Sequence, residues 1–278
     1  MAEKEKNFGS TIKKLRKENK LTQEMLSQGI CAQSVLSRIE SGEEIPNVIV
    51  LQELCRRLNV TIDQVMQSQP EKLQKVTKIF NRVRFLFIHH NYTEVQEVLN
   101  ESKVLDLLYL DTDFQIYYYY EGSCIFYLDK DYENAIQSLK KGLAYTYTKG
   151  KSNVSAMEVH MMSCLGYIYL ESGNMQKAGG YLEHSYQLMQ ELPIGPASFE
   201  LTKVFYHYAY FLFLKKDYQK SLEMCQNGIR WVQDCCSYYY LKELFLLASQ
   251  VGQAMNNQAV DEGYFSLYQL VEKIDPEN

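Results

Sequence analysis

Apolar positions recur along this chain at spacings of three and four, the pattern of helices that bury one face, and they predict an all-α protein. Ile12 and Leu15 give a first helix its inward side. Met25, Leu26 and Ile30 form the stripe of a second, which Thr22 can cap because its side-chain oxygen accepts from an otherwise unpaired backbone N–H. A third helix buries Ala32, Leu36 and Ile39 and leaves Gln33, Ser34, Ser37 and Arg38 on its outer face. Gly42 ends it, since glycine takes the left-handed conformation without steric cost. Pro46-Asn47 opens a fourth helix that buries Ile49, Leu51, Leu54 and Leu58, and the capping box Thr61-Ile62-Asp63-Gln64 begins a fifth that runs through Met66.

After Gln67-Ser68-Gln69-Pro70 the pattern lengthens, which places a domain boundary between residues 1–68 and 69–278. The second part repeats. His90-Asn91-Tyr92, Lys130-Asp131-Tyr132, Gly173-Asn174-Met175 and Lys216-Asp217-Tyr218 read as turns between paired helices, with a weaker fifth copy near Asn257. Positions 92, 132, 175 and 218 are 40, 43 and 43 residues apart. Three residues after each comes Val95, Ala135, Ala178 or Ser221, and nine before it Val83, Ser123, Gly166 or Ala209. These compact residues mark where two antiparallel helices press together.

Composition narrows the class. A chain of 278 residues accommodates two domains, each with a core. No apolar run is long enough to cross a membrane, and the charged start Met1-Ala2-Glu3-Lys4-Glu5-Lys6 lacks the apolar region of a signal peptide. The seven cysteines are scattered among apolar helical residues, the pattern of reduced, buried thiols in a cytoplasmic protein, the adjacent Cys235 and Cys236 included. The five histidines show no metal spacing, no Cys pair has the CxxC spacing, and there is neither a phosphate-binding glycine loop nor a nucleophile elbow. The expectation is a protein without cofactor or metal, and not an enzyme.

Charge points to a partner for the first part. Residues 1–70 carry ten Lys/Arg against nine Asp/Glu, and residues 71–278 nineteen against twenty-five. Yet Lys13, Lys14, Arg16, Lys17 and Lys20 crowd one helix and its end, with Glu18 the only acid among them, and such a local cluster suits phosphate contacts. A short third helix that shows only compact donors and acceptors plus one arginine is shaped for a DNA major groove. Arg16 and Glu40 are read as a structural pair between the first and third helices.

Residues 8–66 resemble the five-helix helix-turn-helix domain of Xre/Cro-type repressors. The likeness is closer to the PlcR-type regulators, through Leu21-Thr22-Gln23, Ile30-Cys31 and Ser37-Arg38-Ile39-Glu40-Ser41-Gly42. Carried over, the resemblance implies that Gln23 meets a phosphate and that Gln33, Ser34, Ser37 and Arg38 face base edges; Lys13, from the basic cluster, is read as a further contact to the DNA backbone. Cys31 stands where such domains usually carry a Ser or Thr cap, which leaves the start of the third helix less firmly held.

The helix pairs resemble tetratricopeptide repeats, best in Leu165-Gly166-Tyr167-Ile168-Tyr169 with Gly173 and Ala178, and imply a right-handed superhelix with a concave face. Counting from the small residue of each pair places Phe80, Arg84 and Phe87; Tyr117, Tyr120, Cys124 and Tyr127; His160, Ser163, Tyr167 and Leu170; and Lys203, Tyr206, Tyr210 and Phe213 on that face. Recurrent tyrosine offers flat apolar area and a hydroxyl, which suits an extended peptide, and Arg84 and Lys203 could grip its carboxylate end. Tyr238-Tyr239-Tyr240 is placed on the first helix of the last pair.

The whole is similar to the peptide-pheromone regulators grouped as Rgg, Rap, NprR, PlcR and PrgX. That resemblance implies a cytoplasmic transcription regulator that dimerises through its repeats, binds a two-fold operator in double-stranded DNA, and is controlled by a short signalling peptide on the concave face. Two other readings remain open: an orphan regulator whose repeats bind a partner protein, and an adaptor that sequesters an enzyme.

Overall fold

The computed structural model describes residues 8–62, 65, 71–101, 104–151, 153–192 and 196–274. Every regular element among them is helical. The chain divides into two compact units, Met1–Asn81 and Arg82–Asn278.

In the first unit α1 (Phe8–Glu18), α2 (Gln23–Ser27), α3 (Gln33–Ser41) and α4 (Val48–Arg57) surround Ile12, Leu26, Leu36, Ile39, Leu54, Cys55, Leu58 and Val65. The Thr22 hydroxyl accepts from the Met25 N–H at 3.1 Å, and Asn47 caps α4 in the same way. Gly42 takes φ +81° and its N–H returns to α3. A side chain at Gly9 would come within 1.9 Å of the Ile39 carbonyl, so α1 and α3 touch backbone to backbone there.

Three expected core residues lie outside this core. Met25 is 52% exposed because α2 is a single turn whose inner side is filled by Leu26. Ala32 is exposed and is the N-cap residue of α3 rather than part of its buried stripe. Ile49 is 74% exposed because α4 buries Leu54, Cys55 and Leu58 and packs Leu51 part-buried against them, a phase that turns position 49 outward. The capping box at 61–64 and the fifth helix through Met66 fall largely outside the described residues, as does the boundary at 67–70.

Along the second part of the chain the helices pair as the repeat predicts. The chain forms α5 (Glu71–Ile88) with α6 (Tyr92–Asn100), then a short α7 (Val104–Leu107). Next come α8 (Asp111–Cys124), continued by a π-helical turn at Ile125–Asp129, and α9 (Tyr132–Thr146). They are followed by α10 (Ala156–Glu171) with α11 (Met175–Met189), α12 (Thr202–Leu214) with α13 (Tyr218–Asp234), and α14 (Leu241–Ala254) with α15 (Gln258–Ile274). The turns share one geometry. His90, Lys130, Gly173, Lys216 and Asn256 all have φ between 52° and 82°. Asp131, Asn174, Asp217 and Asn257 follow four of them and accept from the backbone N–H three residues on. That chemistry is why a turn residue followed by Asn or Asp recurs.

The small residues do press together. The Ser221 hydroxyl donates to the Ala209 carbonyl at 2.8 Å, and a Cβ on Gly166 would lie 2.6 Å from Leu182 Cγ. The second pair departs from the count. There Gly122, one residue before the expected Ser123, meets Leu139 as Gly166 meets Leu182; a Cβ on it would lie 3.0 Å from both Leu139 Cγ and the Ala135 carbonyl. The π-helical turn accounts for the difference, because its wider loop inserts one residue between Gly122 and the turn at Tyr132.

Two further expectations change. Tyr238, Tyr239 and Tyr240 precede α14 instead of lying on it, with Tyr240 at φ 62°. All seven cysteines are unbridged, yet Cys236 is exposed while Cys235 beside it is buried. No helix among the described residues is long and apolar enough to cross a membrane.

Candidate nucleic-acid interface and inner face of the repeats

The third helix is held from beneath. Arg16 Nε donates to Glu40 Oε1 at 2.5 Å and Nη2 to Oε2 at 2.9 Å, while Nη1 reaches the Leu21 carbonyl at 2.8 Å. Burial alone would push the Glu40 carboxyl up. The hydrogen bonds from Arg16 and Gln23 outweigh it and hold the group below the usual carboxylate range. Arg16 is therefore spent inside the fold and leaves the basic cluster, and Lys14 lies 3.7 Å from Glu18. Lys13, Lys17 and Lys20 remain exposed.

Gln23 joins this buried pair to the surface. Its Nε2 donates to Glu40 Oε2 at 2.9 Å and its Oε1 accepts from Gln33 Nε2 at 2.6 Å. Gln33, Ser34 and Arg38 are exposed, and Ser37 is half-exposed. Arg38 Nε donates to Glu44 Oε2 at 2.7 Å, a pairing absent from the sequence reading. The N-cap residue of α3 is Ala32 rather than the expected Cys31, and among the described residues no side chain caps it. Arg57, also unforeseen, donates to the carbonyls of Met25, Leu26 and Gln28 and so closes the C-terminal end of α2.

In the second unit the inward positions gather into one aromatic and polar cluster, and much of it is closed. Arg84 Nε donates to Glu200 Oε1 at 2.7 Å, and its guanidinium sits over Phe199 at 5.4 Å, so the first helix pair is tied to the start of the fourth. The Lys203 side chain is buried with its ammonium 4.8 Å from the Phe87 centroid, 5.2 Å from Tyr240, 5.5 Å from Tyr239 and 6.0 Å from Tyr127. That burial lowers its pKa.

Ser163 Oγ and His207 Nδ1 are 2.9 Å apart, and the Tyr167 ring stacks on His207 at 4.4 Å. His160 is buried beside Tyr119 at 5.1 Å, and desolvation lowers its pKa to about 3. Among the described residues the buried Nε2 atoms of both His160 and His207 find no hydrogen-bond partner. Tyr127 stacks on Tyr92 at 4.4 Å, and Tyr120 meets Phe87 at 5.1 Å. Tyr206 and Tyr210 lie parallel at 6.2 Å and, with Tyr167, keep part of their surface in solvent.

Tyr117 does not join them. Its ring contacts Tyr118, and burial, with Glu121 adding to it, pushes its phenol up to about 12. Tyr119, which the count did not place on the inner face, packs there against Phe87 at 5.7 Å and His160 at 5.1 Å. Tyr239 and Tyr240, part of the run expected on the last helix pair, join the cluster from the segment before α14, whereas His207 and Glu200 join it unforeseen. Only His207, a polar residue between Tyr206 and Tyr208 in the apolar run from Val204 to Leu214, gave a signal.

The helix-turn-helix family profile matches residues 12–65. Residues 12–65 are a helix-turn-helix domain. No curated protein matches the chain by sequence. Among solved structures, Bacillus thuringiensis PlcR in complex with the peptide PapR7 and DNA is similar at a TM-score of 0.81, with 24% identity over 96% of this chain and 94% of that one. PlcR in its apo form gives 0.63 at 23% identity over 96% and 93%. ComR from S. thermophilus in complex with DNA and its signalling peptide ComS gives 0.65 at 15% identity over 96% and 94%. The helix-turn-helix domain and the helical repeats thus form the all-α fold of PlcR and ComR along nearly the whole chain.

Proposed function

We propose that this chain is a cytoplasmic, sequence-specific DNA-binding transcription regulator controlled by a short signalling peptide. The observation that carries the DNA half is the outer face of α3, where Gln33, Ser34, Ser37 and Arg38 stand exposed on a helix-turn-helix domain. Side chains of this kind read base edges in the major groove, while Lys13, Lys17, Lys20 and the amide of Gln23 supply backbone contacts. The protein works as a homodimer on a two-fold operator, because one small head makes few phosphate contacts. Residues 1–68 form the DNA-binding part and residues 69–278 the regulatory and dimerising part.

The peptide half is supported by the fold shared with PlcR and ComR, whose structures are described with PapR7 and ComS. An extended peptide enters over the part-exposed Tyr167, Tyr206 and Tyr210. Its carboxylate competes with Glu200 for Arg84, and that exchange opens the way to Tyr120, Tyr127, His160, Ser163 and Lys203. Peptide alters DNA affinity only by its difference in affinity for two arrangements of the dimer, typically worth about 1–3 kcal/mol.

The test is a selection of duplex DNA from a random pool by the full-length chain, followed by titration with a pool of short synthetic peptides. A two-fold motif whose affinity changes with one peptide class is expected. A motif that responds to no peptide would leave the DNA reading standing and remove the peptide one.

A further inference from the structure

We infer that Glu44 is a positioning residue for Arg38 and makes that arginine selective for guanine. The inference rests on the DNA-binding reading. After Gly42 the chain folds back over the end of α3: the N–H groups of Glu43 and Glu44 both return to the Arg38 carbonyl, at 2.9 and 3.3 Å. This brings the Glu44 carboxylate onto Arg38 Nε at 2.7 Å.

The contact uses Nε. Among the described residues the two terminal amino groups of Arg38 carry no other hydrogen bond, so a pair of parallel donors stays free at the end of a side chain that is 53% exposed. Guanine offers two acceptors, N7 and O6, on its major-groove edge at the spacing of that fork, and no other base pair presents two acceptors from one base there. An arginine tethered at Nε meets such an edge with its rotamer already set, whereas a free one also reaches phosphates.

Stability does not explain the pair. With Glu44 itself 35% exposed, an ion pair of this kind adds little to folding. A carboxylate beside a DNA-facing helix also repels the phosphates, which weakens binding to every sequence alike. Glu44 therefore lowers affinity and raises discrimination, and the two effects separate by experiment.

The duplex that the full-length wild type selects from a random pool, its single-base variants and a scrambled duplex are titrated with wild type, Glu44→Ala, Glu44→Gln, Arg38→Ala and the Arg38→Ala/Glu44→Ala double variant. Glu44→Ala binds the scrambled duplex several-fold more tightly, while the preference for guanine over its substitutes at one position falls about tenfold, within the discrimination of one bidentate contact. Glu44→Gln keeps an acceptor for Nε, so it keeps the raised non-specific affinity and recovers most of the preference. In the Arg38→Ala background Glu44→Ala changes no base preference.

An unchanged guanine preference in Glu44→Ala, with both affinities raised equally, would overturn the inference and leave Glu44 a repelling surface charge. A loss of preference that persists without Arg38 would overturn it too. If the wild type selects no duplex at all, the DNA-binding reading itself fails and the inference falls with it.

Discussion

Arg16 and Glu40 meet in a two-point ion pair beneath α3, with the Glu40 side chain 1% exposed and a third bond from Gln23 on the same carboxylate. Breaking a buried pair from one side strands a charge. Glu40→Ala should therefore cost the helix-turn-helix unit about 3–5 kcal/mol in urea melts, whereas Lys14→Ala, which removes only an exposed pair, should cost less than about 0.5 kcal/mol. The sign of the pH effect follows from the lowered carboxyl. Its stabilisation is present above the unfolded pKa of about 4.3 and is lost as pH falls through the folded value. The difference in stability between wild type and Glu40→Gln should shrink below about pH 4.3 and be flat near neutrality.

The helix–helix contacts of the repeats give a second expectation. A methyl group on Gly166 would press on Leu182 Cγ at 2.6 Å and on its backbone nitrogen at 3.1 Å. Gly166→Ala should destabilise the repeats by about 1–3 kcal/mol. Gly122→Ala, whose Cβ would meet Leu139 and the Ala135 carbonyl, should also destabilise them. Gly180 is the control: nothing lies within 4 Å of an added Cβ, so Gly180→Ala on α11 should stabilise by about 0.5–1 kcal/mol. Thermal melting of the three variants distinguishes these outcomes.

His160 and His207 are buried neutral, with pKa values lowered by desolvation and, for both, by the nearby Lys203. Below the unfolded value of about 6.5 the unfolded chain takes up protons that the folded one refuses. Each histidine should then remove up to about 1.4 kcal/mol of stability per pH unit as pH falls from about 6.5. Denaturant melts of the repeat unit from pH 7.5 to 5 measure the slope, and His160→Phe should reduce it. A slope unchanged by that variant would place His160 in contact with water.

How much of this was legible follows from what each signal depends on. The αL-then-Asn/Asp turns, the compact pair Ala209–Ser221 and the close approach at Gly166 depend on local geometry, and the sequence carries them directly. The outer face of α3 was equally plain, since Leu36 and Ile39 set its phase. The shift from Ser123 to Gly122 was not, because a π-turn has no residue signature and changes only the count. Glu44 on Arg38, Glu200 on Arg84 and the rings around Lys203 join residues through folded loops or across many repeats, and no spacing rule reaches them.

The inner face yields a test of peptide control. Tyr206 and Tyr210 keep part of their surface in solvent, and His207 rests on Tyr167 rather than on either of them at close range. Tyr206→Ala with Tyr210→Ala should remove the peptide response while peptide-free DNA binding and helix content stay near wild type. Anisotropy titrations with labelled duplex, with and without the active peptide, measure both. A full response in the double variant would place the ligand elsewhere.

The claim that the outer face of α3 reads DNA is tested most directly by repeating the selection from random duplexes with a variant in which Gln33, Ser34, Ser37 and Arg38 are all alanine. These side chains lie outside the core, so circular dichroism and melting should match wild type. Wild type should return a two-fold motif. The variant should return none, yet keep weak, salt-sensitive binding through Lys13, Lys17 and Lys20. The same motif recovered by both proteins, or no two-fold motif from wild type, would contradict the account.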